Sequence, residues 1–482
     1  MNIPTINISA ILPAVVLSVF GIAIMVAEPF VSERRKSALG WLGFAGAIGA
    51  MLALAPMANN RGPWYSDLWI VDGYSVFFTF VFLLIAGITI LTSVDFLRRE
   101  NMNHAEFYAL LLFATVGMLM MAASNDLMMV FLGLETLSIA TYVLAGFRRT
   151  DLRSNESALK YFLLGSFSSA FFLYGVALIF GATGSTNLVE IAESLRSARG
   201  PQNLVYLSAA MMLIALCFKV AVAPFHVWTP DVYEGAPTPV TGFMSVGPKA
   251  AGFAVLFRVF VTAFPSIEDR WAPAIWLVAA LTMVLGNVIA LVQPNIKRML
   301  AYSSIAHAGY VAVAFASTSR EGVSAALFYL LAYSLMNLGA FAMVTILSRS
   351  EDKLVNVTDY AGLGEKRPGL AAVLSLFLLS LAGVPGTAGF AGKFFIFRAA
   401  VESRMLWLAI IGVLTTVASF YYYLYVVVQM YMREPAGDFS DLRIVGSLKI
   451  ALAISAIGTL YLGLLPTRVL DWTITAALST LR

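Results

Sequence analysis

Three lysines lie within runs of residues that otherwise carry no charge. Lys219 lies in LVYLSAAMMLIALCFKVAVAP, Lys249 in PTPVTGFMSVGPKAAGFAVLF, and Lys393 in the apolar stretch after Gly369. A carboxyl group joins them, because Glu135 interrupts DLMMVFLGLETLSIATYVLAG. A charged side chain inside a bilayer costs about 3 kcal/mol or more, so such groups persist where they have a use. If these runs cross a membrane, the chemistry they indicate is the movement of charge.

Burial in a low-dielectric surround disfavours the charged forms of amines and carboxyls. Both kinds of group can then gain and lose protons near neutral pH. A carboxylate beside an ammonium opposes this effect. We therefore predict that lengthening a Glu135–Lys219 pair releases a proton and that shortening it recaptures one. In this scheme Lys249 passes the proton on and Lys393 serves the second half of the chain.

Each of these side chains also has a structural explanation. Glu135 and Lys219 could form a static buried ion pair, which contributes little net stability. Lys249 could be a buried structural group, and Lys393 could reach an interface past a broken helix. Snorkelling is the default explanation for Lys160, in ESALKYFLLGSFSSA, although a relay role is retained for it.

Other polar residues form possible relays. His307, in LAYSSIAHAGY, is one helical turn from both Ser303 and Tyr310, so the three could form a polar strip for protons. A hydrogen-bonded core histidine is the equal alternative. His226 and Asp231 flank a proline-rich segment, where they either line the mouth of a half-channel or stabilise the turn. Three scattered histidines predict no metal site.

The elements that must position these groups are membrane helices. With 60% hydrophobic and 12% charged residues, the chain has about half the charge of a soluble protein. Apolar stretches of about 20 residues, enough to cross a bilayer, recur about fourteen times. Their predicted bounds are 7–27, 38–58, 74–94, 107–123, 127–146, 157–181, 204–223, 239–262, 271–292, 298–316, 323–347, 370–397, 404–431 and 447–465. The fold class is an all-α integral membrane protein.

Loop charges predict the orientation. One set of alternate loops holds about sixteen Lys and Arg, against about nine in the other set with the termini, and such residues stay on the cytoplasmic side. Both termini should therefore face away from the cytoplasm. The richer loops are led by Arg34, Arg35, Lys36, Arg148, Arg149 and Arg153.

Two breaks organise the interior. The seventh span meets Pro224 and four further prolines, and the twelfth carries GVPG in its middle, so both read as discontinuous helices. Five-helix blocks at 107–262 and 263–431 each place their break in the fourth helix. Because each block has an odd number of helices, the second block enters the membrane from the opposite side. The two blocks are therefore expected to form an inverted repeat, as in many transporters. Residues 1–106 form an N-terminal three-helix segment, and residues 432–482 hold the last helix and a tail.

Several classes of site are not expected. Cys217 is the only cysteine, which leaves no disulfide, CxxC zinc site or iron–sulfur cluster ligated by this chain. Neither GxGxxG nor GxxxxGK[ST] occurs, which argues against a nucleotide site. The net charge of +4 reflects the loops, and no basic cluster interleaved with aromatics suggests nucleic acid.

Three segments carry a family resemblance: KVAVAPFHVWTPDVYEGAPTPV at 219–240, QPNIKRMLAYSSIAHAGY at 293–310, and GVPGTAGFAGKFFIF at 383–397. They resemble the signature segments of the antiporter-like membrane subunits of respiratory complex I, and the resemblance extends over nearly the whole chain. It implies that Glu135 matches the fifth-helix glutamate. It also implies that Lys219 matches the lysine of the broken seventh helix, Lys249 the eighth-helix lysine, and Lys393 the twelfth-helix residue.

The resemblance implies a function and partners. Protons would cross a bacterial inner membrane, driven by NADH oxidation and quinone reduction in neighbouring subunits. FMN and iron–sulfur clusters would lie in those partners, with no cofactor in this chain. The length and Lys393 point to the smallest of these subunits, because the largest has a lateral helix and the middle one has glutamate in the twelfth helix.

Other functions stay open at this point. A subunit of a multisubunit cation/proton antiporter or of a membrane-bound hydrogenase would share the same ancestry. A self-contained solute transporter would use the broken helices as its binding site. A structural membrane scaffold would tolerate neutral side chains in place of Glu135 and Lys219.

Overall fold

Helices dominate the computed structural model, which describes residues 6–32, 35–197, 201–348, 354–435, 439, 442 and 444–480. Arg34, one of the loop charges used for orientation, lies outside these residues. The first ten helices are α1 (Ile8–Ala27), α2 (Ser37–Leu52), α3 (Leu54–Ala58), α4 (Gly73–Arg99), α5 (Glu106–Ala123), α6 (Leu127–Ala145), α7 (Leu152–Thr183), α8 (Leu188–Arg196), α9 (Gln202–Val220) and α10 (Thr229–Gly235). The others are α11 (Thr238–Ala263), α12 (Glu268–Ala290), α13 (Ile296–Ala316), α14 (Arg320–Leu347), α15 (Leu363–Lys366), α16 (Pro368–Ala382), α17 (Ala388–Glu402), α18 (Leu406–Met432), α19 (Gly446–Leu464) and α20 (Thr467–Thr480).

Within the described residues, thirteen helical stretches are long and apolar enough to cross a membrane. The remaining predicted span, the twelfth at 370–397, is the broken pair α16 and α17. Helices α4, α11, α13 and α14 are buried along most of their length and form the centre of the bundle, while α1, α7 and α18 expose much of their apolar surface. Exposed apolar surface of this kind is what a lipid-facing helix requires. The all-α membrane fold is therefore confirmed.

Both predicted breaks are present. Helix α9 ends at Val220, Ala221 adopts a left-handed conformation with φ of 58°, and helix resumes only at Thr229. Proline at position 224 cannot donate a backbone hydrogen bond, which keeps this segment out of the helix. Between α16 and α17 the chain turns through Gly383 at φ of 97°, a conformation that glycine adopts without steric cost.

The two proposed five-helix blocks have the same order of elements. The first holds α5, α6, α7, the broken α9 and α10, and α11. The second holds α12, α13, α14, the broken α16 and α17, and α18. The inverted symmetry and the boundaries at residues 106, 262 and 431 stay predictions.

One face of the bundle, here called the terminal face, carries both described ends of the chain. Asn7 donates to the Asn60 side chain at 3.1 Å, and the backbone N–H of Tyr74 donates to Ser479 Oγ at 3.1 Å. The sequence did not predict two elements here: the terminal helix α20 and a hairpin of β1 (Gly62–Trp64) and β2 (Trp69–Val71). The short helix α8 also lies on this face. We call the other side the opposite face.

Candidate functional site

Lys219 lies at the buried end of α9, one residue before the helix stops. Its side chain is 4% exposed, and its ammonium donates to Ser138 Oγ at 2.8 Å. The ring of Tyr161 on α7 lies 5.8 Å from the ammonium nitrogen, close enough for a cation–π contact. The helix stops one residue after Lys219. The side chains that contact its amine come from α6 and α7.

Glu135 lies on α6 one turn before Ser138, and residues three apart share one face of a helix. Its side chain is half-buried, and within the described residues its Oε1 atom has no hydrogen-bond partner. The carboxylate and Lys219 act on each other electrostatically without forming a salt bridge. Ser138 is the group that contacts the lysine directly. Its hydroxyl donates to the Leu134 carbonyl at 2.5 Å.

Lys249 lies near the middle of α11 and is 3% exposed. Its ammonium donates to Ser304 on α13 twice, to the carbonyl at 2.9 Å and to the hydroxyl at 2.6 Å. The Tyr233 ring lies 5.8 Å away. Within the described residues no carboxylate pairs with Lys249, so only neutral oxygens and a ring stabilise its charge.

A close approach of α9 and α11 brings Lys219 and Lys249 into one region. A Cβ atom added at Gly252 would lie 2.7 Å from Val220 Cγ1 and 3.6 Å from Lys219 Cγ. Gly252 is one turn beyond Lys249 on α11. A larger residue at 252 would therefore push α9 away, which explains glycine at this position.

Helix α13, which belongs to the second block, carries polar groups from Lys249 towards Lys393. Ser304, His307 and Tyr310 recur every three residues, which keeps them on neighbouring positions of one face. The Nδ1 atom of His307 lies 2.5 Å from the hydroxyl of Tyr329, and its Nε2 atom lies 3.1 Å from the hydroxyl of Tyr423. Each nitrogen of the imidazole therefore has a tyrosine hydroxyl as its hydrogen-bond partner.

Ser303 and Tyr423 extend this strip, because their hydroxyls hydrogen-bond to each other. The hydroxyl of Tyr310 accepts from Asn287 and from Thr416, each at 3.2 Å. Hydroxyl groups both donate and accept, so a connected set of them can pass protons without net displacement of the side chains.

Lys393 lies just after the second break and is 4% exposed. Its ammonium donates to the carbonyls of Leu381 and Ala382, at 2.9 and 3.0 Å, which are among the last of α16. Carbonyls at a helix C-terminus carry partial negative charge and favour a cation. The Tyr310 ring lies 4.8 Å from the nitrogen, which joins Lys393 to the strip on α13.

The opposite face holds a charged cluster. Asp231 on α10 accepts from Lys160 at 2.9 Å and from Arg298 at 2.8 Å. Arg298 also donates to Glu234 at 2.8 Å, and the cluster borders a cavity of about 270 Å³. Burial raises the pKa of Asp231, but the hydrogen bonds from Lys160 and Arg298 outweigh burial and hold the pKa below its ordinary value. Asp231 is therefore ionised at neutral pH.

The predicted histidines lie apart. His226 is half-buried in the segment after the first break, where burial and then the charge of Lys249 lower its pKa. His307 lies in the strip on α13. His104 lies elsewhere, where its ring and the carboxylates of Glu28 and Glu106 bring ligand atoms within 4.8 Å of one another.

Several groups in direct contact with the lysines or with His307 were missed from the sequence. They are Ser138, Ser304, Tyr329 and Tyr423. The signal for Ser138 is its spacing of three from Glu135 on a helix, and Ser304 adjoins the predicted Ser303. The two tyrosines belong to α14 and α18, and only the packing of separate helices brings them to His307.

Comparisons with known proteins agree with this geometry. A family model described as "NADH:quinone oxidoreductase/Mrp antiporter, TM" matches residues 124–419. NADH-quinone oxidoreductase subunit N of Trichlorobacter lovleyi is 49% identical over 469 residues, which are 97% of this chain and 96% of the relative.

Two solved structures are similar to this chain over nearly its whole length. A chain of respiratory complex I from Thermus thermophilus is 36% identical, with a TM-score of 0.80 over 95% of this chain and 98% of that chain. A chain of the Mrp complex from Dietzia sp. DQ12-45-1b has a TM-score of 0.84 over 99% of this chain and 98% of that one. At 20% identity, the second likeness shows the fold alone.

Proposed function

Because the chain belongs to the NADH:quinone oxidoreductase/Mrp antiporter family, as a proton-translocating membrane subunit of an NADH:quinone oxidoreductase, we propose that its protons move along a row of buried side chains. The row runs through Glu135, Lys219, Lys249, His307 and Lys393. The observation that carries the proposal is the polar face of α13, where Ser304 contacts Lys249, His307 contacts Tyr329 and Tyr310 lies against Lys393.

The first step lies between α9 and α6. The ammonium of Lys219 gives a proton to Ser138 Oγ, and the hydroxyl gives its own proton to the carboxylate of Glu135. For this the hydroxyl turns away from the carbonyl of Leu134, which it contacts in the resting structure. The step leaves a neutral amine and a neutral carboxylic acid, so no net charge is created in the low-dielectric interior.

The second step runs along α13. The ammonium of Lys249 gives a proton to the hydroxyl of Ser304, which releases its own proton, and His307, one turn further along α13, receives that released proton on the nitrogen that lacks one. Tyr423 and Ser303 connect to this histidine on one side, and Tyr329 on the other. A neutral Lys393 amine accepts the proton at the far end, where the carbonyls of α16 stabilise the ammonium that forms.

Proton uptake is assigned to the opposite face. Lys160, Asp231 and Arg298 form a cluster around an ionised carboxylate, and His226 lies five residues before Asp231 in the segment after the first break. The excess of Lys and Arg in the loops of this face supports placing it in the cytoplasm. Both termini then lie on the outer side of the inner membrane.

Electron transfer belongs to other subunits in this proposal. The chain carries no cofactor of its own, and FMN and iron–sulfur clusters lie in partners of the complex. A single buried cysteine, Cys217, supports this assignment, because iron–sulfur clusters require several thiolates. Redox energy reaches the row through long-range electrostatic coupling between neighbouring subunits.

An antiporter subunit is the second candidate function. The fold match to the Mrp complex agrees with it, and Lys and Glu groups can serve sodium or protons. The identity of 49% with a complex I subunit favours the first function. Sodium dependence of transport by the purified complex would favour the second.

His307→Phe tests the relay. Phenylalanine keeps the stacking on Tyr333, whose ring centroid lies 4.9 Å from that of His307, but removes both nitrogens. We expect NADH-driven proton pumping by the purified complex in proteoliposomes to fall at least about tenfold, because proton transfer through a positioned group commonly contributes 10²-fold or more. His104→Phe, at an exposed histidine far from the strip, is the matched control and should pump normally. Undiminished pumping by a fully assembled His307→Phe complex would contradict the relay.

A further inference from the structure

Arg258 forms a buried ion pair that the proton relay does not use. Its guanidinium makes two parallel hydrogen bonds to Asp72, each 3.0 Å long, and the two residues are 3% and 8% exposed. Asp72 caps α4 and Arg258 lies towards the end of α11, so the pair ties two central helices together at the terminal face.

A cavity of about 430 Å³ adjoins the pair on the terminal face. Its lining includes Arg61, Asn125, Thr262 and Ser479 as well as both partners. The Nε atom of Arg258 is buried without a hydrogen-bond partner among the described residues, although the side chain lines this space. A buried donor without a partner is costly, so Arg258 depends on its two hydrogen bonds to Asp72 to hold the guanidinium in place.

The pair stands between this cavity and the proton row. Arg258 is nine residues beyond Lys249 on the same helix, a rise of about 13 Å. The interval is apolar: Phe257 packs against Phe315 with ring centroids 4.9 Å apart, and the Tyr74 hydroxyl is held by the carbonyl of Ala254 at 2.9 Å. The guanidinium lies 4.9 Å from the Tyr74 ring. Among these contacts of the described residues, a proton finds no continuous polar path from Lys249 to the cavity.

We propose that Asp72 and Arg258 form a gate that closes the proton row from the cavity on the terminal face. This inference rests on the proposed relay through Lys249. A guanidinium keeps its charge at all physiological pH values, so deprotonation of Arg258 does not open the pair. Separation of Arg258 from Asp72 lets water advance from the cavity along α11, and the ammonium of Lys249 then gives a proton to that water, leaving a neutral amine and a hydronium ion.

The gate predicts a proton leak when the pair is broken. We expect passive proton entry into proteoliposomes containing the whole complex, measured with a pH-sensitive dye and without NADH, to rise at least threefold with Asp72→Asn or Arg258→Gln. The charge-swapped double variant, Asp72→Arg with Arg258→Asp, should return the leak towards the native level. Arg270→Gln, which breaks an exposed pair with Asp269 on the same face, is the matched control and should not leak. A native leak in both assembled single variants would overturn the gate.

Cysteine accessibility tests the gate without breaking the pair. The one native cysteine of the chain, Cys217, is buried, so new thiols can be followed on this chain after gel separation. A membrane-impermeant thiol reagent should label Ser479→Cys at rest from the terminal face only. Ala254→Cys, on the Lys249 side of the pair, should be labelled only when NADH and quinone drive turnover. Labelling of Ala254→Cys at rest, or none during turnover, would overturn the gate.

The gate and the relay fail in different ways. Normal leak in the gate variants together with lost pumping in His307→Phe removes the gate and leaves the relay. Normal pumping in His307→Phe removes the relay whatever the leak shows.

Discussion

Lys249→Met is expected to reduce NADH-driven proton pumping and coupled NADH oxidation at least about tenfold. Methionine has a similar length but no proton to exchange, and Lys249 is the one group that contacts Ser304 through both its carbonyl and its hydroxyl. The substitution leaves these two oxygens without their donor, at a cost of about 1–3 kcal/mol in folding free energy. Removal of the buried charge offsets part of that cost, so the complex should still assemble. Pumping and NADH oxidation are measured together in membrane vesicles.

Lys249→Arg separates proton transfer from a fixed charge. Arginine keeps the positive charge and can donate to Ser304, but it is not deprotonated in proteins. The relay therefore requires Lys249→Arg to be as inactive as Lys249→Met. Lys449→Met, at an exposed lysine at the start of α19, controls for the chemical change and should be fully active. Recovery of pumping by the arginine variant would show that Lys249 acts only through its charge.

Lys393→Met is expected to have a comparable effect, a fall in pumping of about tenfold or more. Within the described residues Lys393 is the amine that contacts both Tyr310 and the last carbonyls of α16, so no neighbouring base replaces it. The loss should appear in the initial rate of proton uptake by inverted vesicles supplied with NADH.

Controls for Lys393 follow the same reasoning. Lys393→Arg should preserve the contacts with Leu381 and Ala382 and hence the break between α16 and α17, yet remain inactive. Lys366→Met, at a largely exposed lysine near the opposite face, should behave as the native complex does. Native pumping by Lys393→Met would remove Lys393 from the relay.

The helices were predictable because their lengths follow from bilayer thickness. Hydropathy located thirteen described spans and both breaks, since proline and glycine end a helix by local steric effects. The remaining span, the twelfth at 370–397, was correctly expected to be broken. The sequence could not supply the hairpin at 62–71 or the helix α20, because short polar elements at a membrane face depend on which helices they pack against.

The candidate site was only partly predictable. Buried charge in an apolar run is a local signal, and it singled out Glu135 and the three lysines. Their partners are not local: Ser138 contacts Lys219 across 81 residues of sequence, and Tyr423 reaches His307 from a helix more than a hundred residues away. The Asp72–Arg258 pair spans 186 residues in sequence, so neither member signals the other.

The most direct test of the account is the simultaneous measurement of proton pumping and NADH:quinone electron transfer in membranes carrying Lys219→Ala, with assembly of the complex checked on a native gel. Alanine removes the amine that joins the carboxylate of Glu135, through Ser138, to the rest of the row. We expect an assembled complex in which both activities collapse together, because a blocked proton path arrests the electron transfer coupled to it. If the complex assembles and both activities persist, Lys219 is a structural lysine and the proposed proton row is wrong.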